Sequence, residues 1–214
     1  MNKKRAQDNA DRQARLAAIQ SKQRASDRKR TTLILGGIGA VVGAIIVAVT
    51  SVIVGQVQEN QRIEALASQP IEGLQEFDGL TNNHVDAPVE YEQSPPVGGD
   101  HNAVWTNCGV YTSELPNENT VHSMEHGAVW ITYQPDLPQD EIDALTDLVG
   151  SSGYVLLSPY ADQESPIAAS AWGLQLGVDT ADDDRLAVFL ERYIQGEQTL
   201  EPGAACSGGI TPSA

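Results

Sequence analysis

The chain has 214 residues and a formal net charge of −16, a total that conceals a sharp division. Residues 1–30 hold ten of the thirteen Lys and Arg against three Asp, a net +7. Residues 31–214 keep only Arg62, Arg185 and Arg192 against 26 acidic residues, a net −23. The length allows one ordinary domain plus extra segments, and so acidic a C-terminal part excludes nucleic-acid binding, which needs a basic face.

In chain order, residues 1–30 read as a basic cytoplasmic tail with no core-forming face, a loose helix lying on anionic lipid headgroups. Residues 31–56 read as a transmembrane helix. No charged residue occurs from Thr31 to Gln58, and Leu33–Val54 is almost wholly apolar, without the polar stripe of a soluble core helix. As a helix, those residues rise about 33 Å, enough to cross a bilayer core. A cleaved signal peptide needs a shorter apolar region with a small-residue cleavage site after it. This run leads instead into Gln56, Gln58 and Glu59, so an uncleaved signal-anchor in the cell membrane is expected. The positive-inside rule places the N-terminus in the cytoplasm and the rest outside. Gly39 and Gly43 form a G-x-x-x-G step that offers a weak helix-mediated homodimer, a spacing that also arises by chance in a glycine-rich helix.

Residues 57–80 read as a linker with Ile63, Leu66, Ile71 and Leu74 as intermittent apolar contacts. Residues 81–207 form the extracytoplasmic domain, long enough for its own core, and residues 208–214 are expected to be disordered. The two cysteines, Cys108 and Cys206, both fall in the outer part, where an oxidising compartment favours one disulfide. That bridge closes a loop worth ~4 kcal/mol in the loop-entropy picture. A metal-ligating Cys108 is the alternative.

Within the domain, Ala128–Tyr133 is rich in β-formers and suits a buried strand. Ile142, Leu145, Leu148 and Val149 repeat at helical spacing between Pro138 and Gly150. Tyr154–Ser158 is a second strand stopped by Pro159, and Ile167–Leu174 a third. Thr180 and Asp183 resemble a capping box that opens a helix with Leu186, Phe189, Leu190 and Tyr193 on one face. The order implies an α+β fold, a two-layer domain with helices on one face of a small mixed sheet, preceded by one transmembrane helix. Residues 81–121 read as loops and short strands, with strong turn chemistry at Ser94–Gly99.

Those loops lead to the chemistry. His84, His101, His122 and His126 are the only histidines and lie within 43 residues. If His122-Ser-Met-Glu-His126 is extended, His122, Met124 and His126 share a face, and two imidazoles with a thioether suit copper. If it is one helical turn, His122 and His126 align at i, i+4 while Met124 points away, and the pair with His84 or His101 suits zinc. Asp100 and Glu125 can supply oxygen ligands or orient an imidazole. The same residues fit H-x-x-E-H, in which a glutamate activates a metal-bound water. That motif needs a sustained helix, whereas Gly127 follows at once, and such peptidases are far larger. Simple hydrogen bonding by the histidines is the competing account. No G-x-S-x-G turn, Walker loop or dinucleotide fingerprint occurs.

Several runs taken together have a family resemblance. Asn83-His84-Val85, Pro95-Pro-Val-Gly-Gly-Asp-His101, Asn107-Cys-Gly-Val-Tyr111 and His122-Ser-Met-Glu-His-Gly127 resemble, in order, the motifs of domain-of-unknown-function family 3105. Ala171-Trp172-Gly173 and Glu201-Pro202-Gly203 extend the match, which covers roughly residues 71–209. This family is found mainly in actinobacterial proteins with one N-terminal membrane helix. The resemblance implies that topology and draws attention to the four histidines, but it names no ligand or activity.

The resulting expectation is a membrane-anchored outer domain, more a binding module than an enzyme, holding copper or zinc through His101, His122, His126, His84 and Met124. Asp100 and Glu125 stand behind them. The runner-up is a metal-free accessory domain beside a membrane-protein partner, and the minor alternative is a small zinc hydrolase.

Overall fold

The computed structural model describes residues 2–150 and 152–212, without the side chains of residues 2–11 and of several residues between 31 and 41. The chain divides into two units at Glu59–Asn60. One helix, α1 (Asn2–Ala67), runs through the first unit and opens the second. In the first unit, Ile45, Ile46, Val47, Val52 and Ile53 are all exposed. Apolar side chains on every side of a helix suit lipid rather than a protein core. The segment Val42–Ala67 contains a stretch long and apolar enough to cross a membrane, overlapping the expected span. Gly39 falls outside the described side chains, so the Gly39–Gly43 step is only partly described.

The second unit is an α+β domain on a mixed six-stranded sheet. After α1 come β1 (Gln75–Glu76), β2 (Gly109–Val110), α2 (Asn117–Glu125), β3 (Val129–Tyr133) and α3 (Gln139–Val149). They are followed by β4 (Val155–Pro159), β5 (Ile167–Ala171), β6 (Leu174–Val178) and α4 (Asp184–Tyr193). The strand order is β1-β6-β5-β3-β4-β2. β3 and β2 both run parallel to β4, while β5, β6 and β1 are joined antiparallel.

Alternation along the strands sends side chains to two different cores. Val129, Ile131, Val155, Leu157, Ile167, Ala169, Leu176 and Val178 meet Leu145 of α3 and Leu186, Phe189 and Leu190 of α4. These helices follow the apolar periodicity read from the sequence. Trp130 and Leu156, paired in register, face the other way and meet Val121 and Met124 of α2, with Leu115, Trp172 and Cys206. So α3 and α4 cover one face of the sheet, and α2 with the long loops covers the other.

Three local readings change. The expected strand 167–174 is a hairpin, because Trp172-Gly173 makes a two-residue turn with Gly173 at φ +71° and the chain returns as β6. The helix cap is Asp183, whose side chain accepts from Arg185 N, rather than Thr180, whose hydroxyl donates to Asp182. Residues 60–80, expected as a linker, join the folded unit: Ile71 is buried in the helical core and β1 pairs with β6. The only basic residues beyond position 30 fasten this segment. Arg62 pairs with Asp184, Arg185 donates to Glu72 O and Arg192 donates to Gln69 O.

The C-terminal tail also differs from expectation. Ile210 bridges Thr106, and Gly209 N donates to Asn107 Oδ1. Backbone pairing thus orders residues 209–210 despite their disorder-prone composition. Residues 213–214 lie outside the described residues.

Candidate metal centre

The site begins with why residues 117–125 are a helix. Pro116 supplies the entering φ of −61°, Glu118 sits in the first turn, and Val121 and Met124 place an apolar edge against Trp130. The helix stops at His126, because Gly127 takes φ +90°. A Cβ there would run into the side chains of Gln195 and Thr199, so glycine alone permits this sharp exit into β3. Of the two readings of His122–His126, the helical turn is the one formed. His122 and His126 share a face at i, i+4, while Met124 is fully buried in the hydrophobic cluster behind the sheet. Met124, a sequence candidate for a ligand, therefore lies in the core, and with it goes the thioether argument for copper(I).

The other histidines arrive on loops. His84 and His101 form an isolated parallel bridge, with Val85 N donating to His101 O and His101 N to Asn83 O. Asp100 acts one step back, accepting from both the backbone and the side chain of Asn83 at 3.1 and 2.8 Å. Hydrogen bonds from Thr81 and then Asn83 hold its carboxyl below the usual range. Asp100 thus fixes the loop that carries His84 through Asn83.

The rings gather closely. His122 lies with its ring centroid 4.8 Å from His84, 4.9 Å from His101 and 4.6 Å from His126. Ligand atoms of His84, His101, His122 and Glu125 lie within 4.8 Å of one another, as do those of His122, His126 and Glu201. His101, His122, Glu125 and His126 are buried, whereas the His84 side chain is 46% exposed and that of Glu201 51%.

Hydrogen bonds fix the state of each ring. Nδ1 of His101 faces Gly99 O at 2.8 Å, Nδ1 of His122 faces Asn102 O at 2.7 Å, and Nδ1 of His126 faces Ala205 O at 2.8 Å. A carbonyl can only accept, so all three Nδ1 atoms carry a proton, and Nε2 is the atom whose lone pair each ring can offer to a ligand. Those lone pairs converge. His122 Nε2 stands 2.9 Å from His126 Nε2, and His101 Nε2 stands 2.9 Å from the Glu125 carboxylate. Two acceptors at that distance repel unless a cation lies between them. Burial pushes the His122 imidazole below its ordinary value, and the neighbouring His126, His101 and His84 act in the same direction. Burial therefore disfavours a second proton on the His122 ring itself.

The Cys108–Cys206 disulfide, with S–S 2.01 Å, anchors the final loop beside the site. That loop supplies Ala205 O to His126, and the disulfide reading displaces a metal-ligating Cys108. Glu125 is held on both oxygens: Asn82 Nδ2 donates to Oε1, while Oε2 faces His101 at 2.9 Å and His84 at 3.6 Å. Two participants had no sequence reading as site residues. Glu201 approaches His126 Nε2 at 3.5 Å, and the Trp105 ring lies 4.9 Å from His126 and 5.6 Å from His122. The Glu201-Pro202-Gly203 run was the only signal that could have pointed to the first.

Comparison with curated proteins and with solved structures gives no match. The profile of DUF3105, described as a protein of unknown function, matches residues 84–208, more than half of the chain. That span holds all four histidines, Glu125, Glu201 and both disulfide cysteines, and the chain belongs to the DUF3105 family.

Proposed function

We propose that the domain binds a divalent transition ion, zinc or copper(II), through Nε2 of its histidines with Glu125, on the outer side of the cell membrane. The observation that carries this reading is the set of lone pairs aimed at one another. Hydrogen bonding accounts for the three Nδ1 contacts, but between the Nε2 atoms of His122 and His126 it requires an added proton in a buried site. Two nitrogens on one tetrahedral ion at about 2.0–2.1 Å stand about 3.3 Å apart, so the observed 2.9 Å needs only a small opening. Imidazole with carboxylate is a borderline-hard donor set that suits zinc or copper(II). The rings also sit at the C-terminal end of α2, where the helix dipole favours a cation.

The outer location rests on the charge division of the chain and on a disulfide that persists in an oxidising compartment. A binding role is favoured over metal-dependent hydrolysis because Glu125 is buried and engaged on both oxygens. A general base must reach a water in the site.

Equilibrium titration of the full chain in detergent micelles with zinc or copper(II) tests the reading. Saturable binding is expected, and His101→Ala should weaken it at least about tenfold, the usual cost of disturbing even a supporting group. Absence of saturable binding by the unmodified protein would leave the metal-free accessory role as the better account.

A further inference from the structure

The two ligand groups share one residue. His122 stands with His84, His101 and Glu125 in one group, and with His126 and Glu201 in the other. Its Nδ1–H is committed to Asn102 O, so a single lone pair, on Nε2, is all it offers either group. One such lone pair holds one ion. The groups cannot both be filled through His122.

We infer that they are two alternative positions of a single ion, which keeps His122 while exchanging Glu201 and His126 for His101 and Glu125. This inference rests on the metal-binding reading above. The two positions differ in depth. Glu201 is half exposed and carries a carboxylate 3.5 Å from His126 Nε2, while His101 is fully buried and the Glu125 side chain is 3% exposed. A hydrated cation approaching a strongly acidic domain is drawn first to a charged carboxylate at the surface. His84 is also exposed, but an imidazole has no negative charge with which to draw a cation. Glu201 is therefore the mouth of the site and His101 with Glu125 its interior. Because His122 stays bound, the ion crosses from one to the other without returning to water. The backbone supports this short path: Glu201 N donates to Glu125 O at 3.0 Å, fastening the outer carboxylate's loop to the helix that carries the inner one.

The test combines stoichiometry with kinetics on the full chain in micelles. Native mass spectrometry with zinc should show one ion per chain. Stopped-flow mixing with zinc, and then with a chelator, should show Glu201→Gln slowing both uptake and release on the order of tenfold. His101→Ala should instead lower affinity while uptake stays fast. Glu201 is exposed, so its substitution leaves the fold intact, and the unmodified protein's stoichiometry needs no variant. Two zinc ions per chain would overturn the shared position while upholding metal binding. Uptake and release rates unchanged in Glu201→Gln would overturn the mouth. No zinc bound at all would remove the proposed function and this inference together.

Discussion

The two faces of the sheet are built by different means. On the face covered by α3 and α4, aliphatic and aromatic side chains pack against one another and little else: Leu145, Leu186 and Phe189 are fully buried among strand residues. On the face covered by α2 and the loops, the buried set includes His101, His122, Ser123, Glu125, Thr132, Ser158 and Ser170. These are held by specific hydrogen bonds, such as Ser123 to Thr106 O at 2.6 Å and Trp130 Nε1 to Ser158 at 3.0 Å. The first face gains stability from area, which is non-directional. The second depends on direction, since each buried polar group must find its partner or cost free energy. A site that aims lone pairs at a common point can be built only on the second kind of face, because apolar packing does not orient a ring about its own axis.

The largest expected effect tests what holds the polar face together. Replacing both Cys108 and Cys206 by Ser opens a loop whose ends are 98 residues apart and should cost about 4 kcal/mol, read from denaturant midpoints. Because Cys206 adjoins Ala205, whose carbonyl orients His126, metal affinity should fall as well. Unchanged affinity in the still-folded fraction would show that His126 is oriented without the bridge. Leu145→Ala on the helical face should cost about 3 kcal/mol from lost burial and the remaining cavity. Metal affinity measured on the folded fraction should stay as it was, and a marked loss there would break the separation of the two faces. The smallest effect is a pH dependence. The folded His122 titrates below its ordinary value because it is buried. Above about pH 6.5 both folded and unfolded states leave it neutral, so its contribution is fully present. As pH falls below that value the unfolded chain takes up the proton first, and stability declines until the folded pKa is passed. Metal-free wild type should therefore lose more stability between pH 7.5 and 5 than His122→Gln, and equal losses would refute the assignment.

The same contrast explains what could be read in advance. α3 and α4, β3 and β4 follow from periodicity and composition, because their contacts are apolar and repeat at the spacing of the helix or strand. The apolar stretch ahead of the domain and the pairing of the only two cysteines were equally legible, since charge, length and compartment act without reference to tertiary contacts. The four histidines could be singled out by their clustering. The strand expected at 167–174 corresponds to β5, whereas the returning β6 is hard to see in the sequence because Gln175 and Gly177 interrupt its apolar residues.

Other features belonged to the tertiary structure alone. Residues 122–126 suit a helix or a strand equally well, and packing of Val121 and Met124 against Trp130 decided for the helix, sending Met124 into the core. Glu201 reaches His126 from 75 positions away in the chain because its backbone N–H donates to Glu125 O at the end of α2. The protonated nitrogen of each ring is likewise set by a carbonyl from another segment, Asn102 for His122 and Ala205 for His126. Sequence determines which side chains can donate a lone pair. Only the folded chain determines where each lone pair points, because that direction depends on hydrogen bonds between residues the sequence does not place side by side.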